Sequence, residues 1–216
     1  MATAHINNFL DSTLESPFYE KDGLLEFKEG FTDPEFFSKW SFVTKLYGEK
    51  VFIDHCVLTF PNYKSLENYA SGLGCYGNKI VEGPGLFPID FCPNGYNIKT
   101  DLWIYLLTML MPAGGLVVLD APHAPGDQKD RFIQQRGLAG VHHAAIRVED
   151  VRAAALVWQK KGFRPLSLEP LDGDSLCQWF LQNSAGQIIE LISRSPDNNA
   201  TFYCQNIGGL RCSELS

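Results

Sequence analysis

Two stretches of the chain carry one plan, and a duplicated unit narrows the folds open to it. Each is a short apolar strand bearing a histidine, then an amphipathic helix, then further strands that end in a tight turn and a last strand. The first begins at Val51-Phe-Ile-Asp-His55-Cys-Val-Leu-Thr-Phe60. The second begins at Val141-His-His143-Ala-Ala-Ile-Arg-Val148 and closes with Gly186-Gln-Ile-Ile-Glu190-Leu-Ile192. Paired units of this kind can bring His55, His143 and Glu190 to one point, and two imidazoles with a carboxylate make a metal site with open positions.

Periodicity supports the repeat. From Ser65 to about Gly74, Leu66, Tyr69, Ala70 and Leu73 recur at helical spacing and form one apolar stripe. In the second unit Asp150 is the expected cap, Val151, Ala154, Ala155 and Trp158 form the stripe, and Gly162 is the stop. The closing strands read as Asp101 to Met109 and Leu116 to Asp120 in the first unit. In the second they read as Leu176 to Gln182 and Gln187 to Ile192. Between Lys79 and Phe91, Gly83, Pro84, Gly85 and Pro88 interrupt the pattern and leave a poorly defined strand.

The chain divides accordingly. Residues 1–50 form an extension dense in aromatic rings, among them Phe9, Phe27, Phe37, Trp40 and Phe42. So many rings are expected to pack on the core or on a partner subunit, with a lid over the site as the lesser alternative. Within it, Asp33-Pro34-Glu35 signals a helix that should run to near Tyr47. A first module spans 51–125, a linker with a short helix 126–139, a second module 140–195, and a polar tail, expected to be loose, 196–216.

Strand alternation decides which side chains share a cavity. It sets His55 and Val57 opposite Cys56 and Leu58, and His143 and Ala145 opposite Ala144 and Ile146. Glu190 falls with Ile188 and Ile192, and Gln178 with Phe180 and Gln182. The result is a cup holding two histidines, Glu190, Gln178 and Gln182, which Trp103, Tyr105 and Asp120 are expected to join. A lone strand histidine is more often structural than a ligand. Glu190, however, sits between Ile188-Ile189 and Leu191-Ile192, a poor place for an unpaired carboxylate, and a metal would supply the missing charge. His142 is expected on the helix side, and His123 in a loop.

Bulk properties exclude some classes. With 216 residues, a net charge of −7 and no Lys/Arg run, the chain lacks the basic footprint of a nucleic-acid binder. No apolar stretch is long enough to span a membrane. The first residues have neither a basic start nor a long apolar run, so a cytoplasmic location is expected. The six cysteines (Cys56, Cys75, Cys92, Cys177, Cys204, Cys212) include no Cys-x-x-Cys pair, and most are expected to be buried thiols. Asn199-Ala-Thr201 matches a glycosylation sequon and reads as chance.

Ile53-Asp-His55, the run Gly140 to Val148, the helix ending at Gly162 and Gly186-Gln-Ile-Ile-Glu190-Leu resemble the vicinal oxygen chelate superfamily. That superfamily includes glyoxalase I, methylmalonyl-CoA epimerase, extradiol dioxygenases and bleomycin-resistance proteins. The resemblance covers about residues 51 to 195. It implies an α+β fold of two βαβββ modules forming a U-shaped, barrel-like mixed sheet around a divalent metal, with His55, His143 and Glu190 as ligands. Aligning the turns puts Val118 where glyoxalase-like and epimerase-like members usually carry another ligand, unless Asp120 replaces it. Three ligands suit Fe(II) binding a bidentate substrate and O₂ together; Zn, Mn, Co and Ni stay open. The resemblance therefore implies a non-haem Fe(II) dioxygenase acting on a small molecule that chelates through two neighbouring oxygens. A glyoxalase- or epimerase-like lyase or isomerase, and a metal-free resistance-type binding protein, are the alternatives. Tyr105, Gln178 and Asp120 are the candidates for orienting substrate or moving a proton, against plain cavity lining. No nucleic-acid or membrane partner is expected, and a homodimer stays open.

Overall fold

Runs of β-branched and aromatic residues in the two units build one mixed sheet, and the apolar helix stripes cover one of its faces. The computed structural model describes residues 16–40, 42–173, 176–195, 202 and 204–213. Phe9 and the Asn199-Ala-Thr201 sequon lie outside the described residues. The order is β1 (Phe18–Lys21), β2 (Leu24–Phe27), α1 (Pro34–Lys39), β3 (Val43–Leu46), β4 (Glu49–Thr59), α2 (Tyr63–Cys75), β5 (Lys79–Phe87), β6 (Ile104–Leu110) and β7 (Leu116–Pro122). It continues with α3 (Gln128–Arg136), β8 (His143–Arg147), α4 (Val151–Lys160), β9 (Arg164–Pro165), β10 (Leu171–Asp172), β11 (Leu176–Gln182), β12 (Ile188–Arg194) and α5 (Cys204–Ser213).

The main sheet runs β10-β11-β12-β8-β4-β7-β6-β5, with β3 added on β4 and β9 on β11. In each unit the histidine strand pairs in parallel with the closing strand, β4 with β7 and β8 with β12. The two histidine strands meet antiparallel at the centre. The sheet is open, ending at β10 and β5, so the fold is the mixed α+β sheet that the repeat implied. The helices begin where their caps dictate. The Asn62 side chain accepts from the Ser65 N–H, which starts α2 two residues before the expected Ser65, and Asp150 accepts from the N–H groups of Arg152 and Ala153. Leu66, Tyr69, Ala70 and Leu73, with Val151, Ala155 and Trp158, are buried.

Rings from the N-terminal extension join this same core. Phe18, Phe27, Phe37, Trp40 and Phe42 are buried with the helix stripes, on the side away from the histidines. The helix expected to reach Tyr47 stops at Lys39. Trp40 turns extended, and Val43-Thr44 begins a hairpin with β4 instead. Its two-residue turn, Tyr47-Gly48, has φ of 49° and 81°, the doubly positive pattern that matches strand twist. The helix starts as Asp33-Pro34 signals, with the Asp33 side chain accepting from the Glu35 N–H, and the hairpin pairing ends it early.

The stretch that reads as a poor strand forms β5, with register shifts around Glu82. β5 is an edge strand, where proline and irregular pairing are tolerated. The first closing strand turns back at Gly115, where an added Cβ would lie 2.2 Å from the Phe42 ring. Phe42 is wholly buried, so the ring has nowhere to go. Gly115→Ala is therefore expected to destabilise by about 1–3 kcal/mol through overpacking, read as a lower urea midpoint with an unchanged slope.

The tail also departs from expectation. Residues Cys204–Ser213 form α5, and Ile207 and Arg211 within it are buried. A disulfide joins Cys92 to Cys204 across 112 residues, and of the four remaining cysteines Cys56 alone is buried, so most are not the buried thiols expected. The register Leu106↔Asp120 and Tyr105↔Ala121 corrects one strand reading. Ile104 and Leu106 share the cup face with Asp120, whereas Tyr105 packs on the helix side against the Tyr63 ring at 4.6 Å. The short 3₁₀ turn Thr100–Leu102 precedes β6, so alternation counted from Asp101 runs one residue out of phase.

Candidate metal centre

A β-bulge in β4 prepares the first histidine. Ile53 pairs with Ile146 and His55 with Ala145, so Asp54 is an extra residue without a partner across the seam. The bulge shifts the alternation. Ile53 goes to the helix-side core, His55 to the cup, and the Asp54 carboxylate lies beside its own neighbour, 3.0 Å from His55 Nδ1. Arg147 and Arg194 hold that carboxylate in place. Arg147 Nε donates to Oδ2 at 2.6 Å, and Arg194 donates through Nε and Nη2 at 3.1 Å each.

The second histidine is held in a parallel way. His143 Nδ1 lies 2.9 Å from His142 Nδ1, and the His142 ring rests on Phe132. With both Nδ1 atoms engaged by the preceding residue, both Nε2 atoms are free to point into the cup. They lie 3.4 Å apart, and Glu190 Oε2 is 3.2 Å from His55 Nε2 and 3.4 Å from His143 Nε2. The parallel pairing of β12 with β8 places Glu190 beside Ala145, on the face of His143. One ligand atom from each of the three residues lies within 4.8 Å of the others, and all three are buried.

The charges suit a cation. Burial works to raise the Glu190 carboxyl, but the His55 and His143 rings overcome it and hold it at about 2. Burial likewise works against charge on His55, and Glu190 with Asp54 reverses this and raises its pKa. Burial lowers His143 and, with help from Lys129, lowers His142 much further. A neutral His142 can accept at Nδ1 a hydrogen bond from the His143 Nδ1–H, which leaves His143 Nε2 as a bare lone pair. Glu190 Oε1 is buried without a hydrogen-bond partner among the described residues. An orphaned carboxylate oxygen beside two convergent imidazole nitrogens is the donor set a divalent ion fits.

The trio lines one wall of a cavity of about 50 Å³. Asp120, Gln178 and Lys129 also line it, and Val57, Ile104, Val118 and Phe180 give it a largely apolar wall. Asp120 Oδ2 is bonded to Lys129 Nζ at 2.6 Å, and both side chains are buried. Gln178 donates to the Asn206 carbonyl at 3.0 Å. Tyr105 and Trp103 are not among the lining residues. Trp103 donates to the Ile98 carbonyl, with His123 beside its ring. Gln182 lies at the strand end and donates to the Gly186 carbonyl. Sequence reasoning passed over Asp54, Lys129 and Arg211. Asp54 had a signal in its place directly before a candidate ligand; Lys129 and Arg211 lie on helices whose docking no local pattern shows.

Chain from the C-terminal region completes the cavity. Phe202, Asn206, Ile207, Leu210 and Arg211 line it, and the Phe202 ring lies 4.9 Å from the His55 ring. Glu82 of β5 accepts from the Phe202 N–H and the Thr108 hydroxyl. Burial raises the Glu82 carboxyl to about 7, against the opposing pull of those donors and Arg194. Its ordinary value is 4.5, so the folded chain binds more protons here than the unfolded one. Stability from this group is thus full below about pH 4.5 and lost as pH rises through about 7. Glu82→Gln is expected to gain on the wild type above neutrality and to lose that advantage in acid. Melting temperatures of both proteins between about pH 5 and 8 check this.

No family model matches the chain, and no curated protein matches it. Solved structures do. A mutant of 4-hydroxymandelate synthase from Streptomyces coelicolor aligns at 16% identity and a TM-score of 0.54, covering 76% of this chain and 54% of that one. Methylmalonyl-CoA epimerase from Mycobacterium tuberculosis aligns at 22% identity and a TM-score of 0.47, covering 68% and 90%.

Proposed function

We propose, for a chain that has the vicinal oxygen chelate fold, that it is a metal-dependent enzyme of small molecules, with His55, His143 and Glu190 as metal ligands. Within that class the preferred activity is a non-haem Fe(II) dioxygenase whose substrate binds through two neighbouring oxygens. One observation carries this reading. Among the described residues the ligand atoms that converge come from three side chains; Asp120, the further carboxylate lining the cavity, lies outside that group and bonds Lys129 through Oδ2. Two histidines and one carboxylate with open positions are the facial arrangement of non-haem iron oxygenases.

When bound, the metal supplies Lewis acidity and a meeting place for two reactants. The chain supplies the rest. Asp54 and His142 fix the imidazole rings, so both Nε2 atoms stay aimed at one point. The apolar walls exclude water from the reacting groups. Gln178 lines the cavity, where its amide, given to the Asn206 carbonyl in this structure, can orient a substrate oxygen once that bond is exchanged.

The Asp120–Lys129 pair favours a second reading. A buried acid and base facing the cavity could shuttle a proton without O₂, as a lyase or isomerase requires. Anaerobic reconstitution with Fe(II), followed by oxygen uptake with a panel of catechols and 2-oxo acids, separates the two. The dioxygenase reading expects uptake that depends on both iron and substrate. Tight iron binding with no uptake across the panel sinks it. Deuterium exchange into a hydroxy- or keto-substrate in the absence of O₂ would instead support proton transfer.

A further inference from the structure

The cavity beside the trio is too small for the chemistry around it. A volume of about 50 Å³ has room for a few waters, whereas small-molecule sites run to about 300–1,000 Å³. What fills the cup is α5 together with Phe202. Phe202 lies against His55, and Ile207 enters the apolar cluster of Val57, Ile104 and Val118. The Asn206 carbonyl takes the Gln178 amide that would otherwise face a ligand.

The helix that does this has little stability of its own. It is ten residues long and holds Gly208 and Gly209 at its middle. Those glycines are what lets it seat. A Cβ at Gly208 would lie 2.3 Å from the Tyr96 ring, and one at Gly209 2.2 Å from Leu171 Cδ1. A short helix with two central glycines depends on its packing and on ties at its ends. Arg211 Nε donates to the Leu102 carbonyl at one end, and the Cys92–Cys204 disulfide holds the other. The covalent tie turns departure of the helix into a strictly local motion.

We propose that α5 is a redox-latched plug. The Cys92–Cys204 bond keeps it in the metal cup, and reduction by a dithiol releases it so that substrate can enter. This rests on the metal-site reading above for what the plug guards, but not for the plug itself. Cys204 is partly exposed and Cys92 is buried, so a thiolate of the reductant attacks Cys204 Sγ. The Cys92 sulfur leaves as a thiolate and takes up a proton. The reductant's second thiol then attacks its own sulfur in the mixed disulfide and frees Cys204. The protein gains two electrons and two protons, and the dithiol becomes a disulfide.

The test compares the full chain, oxidised and after dithiothreitol, with thiol content established by mass spectrometry. Amide hydrogen exchange in residues 204–213 is expected to speed up about ten-fold or more on reduction, while β4, β8 and β12 change little. The initial rate of Co(II) uptake should rise by a similar factor. Cys92→Ser with Cys204→Ser should behave as the reduced protein without any reductant; if that variant does not fold, the wild-type comparison decides alone. Equal exchange in the two redox states, or failure of the bond to form in air, overturns the latch. Should Co(II) bind in neither state, the metal reading fails, and the exchange result still decides whether α5 is released.

Discussion

Glu190→Gln is expected to weaken divalent-metal binding at least about a thousand-fold while leaving the fold intact. Glu190 is the only anion in the trio, and its Oε2 faces both imidazole nitrogens. Removing that charge leaves two neutral rings, which hold a divalent ion far less well. The amide keeps the side chain's volume in a buried position, so no cavity opens. Calorimetric titration with Zn(II) or Co(II), alongside circular dichroism of the metal-free proteins, separates lost binding from lost structure. Binding of the variant as tight as that of the wild type would remove Glu190 from the site. Glu190→Ala should bind as weakly and melt lower, because it adds a void to the lost charge.

Asp54→Ala is expected to cost about 3–5 kcal/mol, because it breaks a buried ion pair by removing one partner. The Asp54 and Arg194 side chains are wholly buried and share several hydrogen bonds. Burial alone would raise the Asp54 carboxyl, yet His55 and Arg194 drive it well below the ordinary carboxylate range. The sign is that of a depressed acid: stability present above the unfolded value and lost as pH falls below it. For a chain of this length the melting temperature should drop by roughly 10 °C. Metal affinity should fall about 10–100-fold as well, since His55 loses the partner that aims it. The two effects come apart in Asp54→Leu combined with Arg194→Leu. An apolar pair of similar volume recovers much of the stability and none of the metal affinity. Chemical denaturation and metal titration of the three proteins check both halves. Recovery of metal binding in the double variant would deny Asp54 its positioning role.

Much of this was readable from residue patterns. Helical spacing of Leu66, Tyr69, Ala70 and Leu73, and of Val151, Ala155 and Trp158, marks the faces that the core covers, because burial of a stripe is a local property of a helix. Alternation in β8 and β12 puts His143 and Glu190 on one face, and their parallel pairing sets the two faces side by side. Alternation failed wherever its origin was displaced. Tyr105, expected in the cup, faces the helix side, on a strand that begins at Ile104 after a 3₁₀ turn rather than at Asp101. The long helix expected after Pro34 gave way to a hairpin whose pairing partner, β4, is a later segment.

The amino-acid order alone determined that two like units exist, and that two imidazoles and a carboxylate sit on strands able to meet. Those are matters of period and spacing, which each segment carries within itself. Only the folded chain decided how the meeting point is furnished: Asp54 thrown beside His55 by a bulge, Asp120 taken by Lys129, α5 tied over the cup through Cys204. Each of these depends on a slipped register or on how separate elements dock against one another. Such contacts are set by which surfaces compete for burial and for hydrogen-bond partners, and no local pattern encodes that outcome.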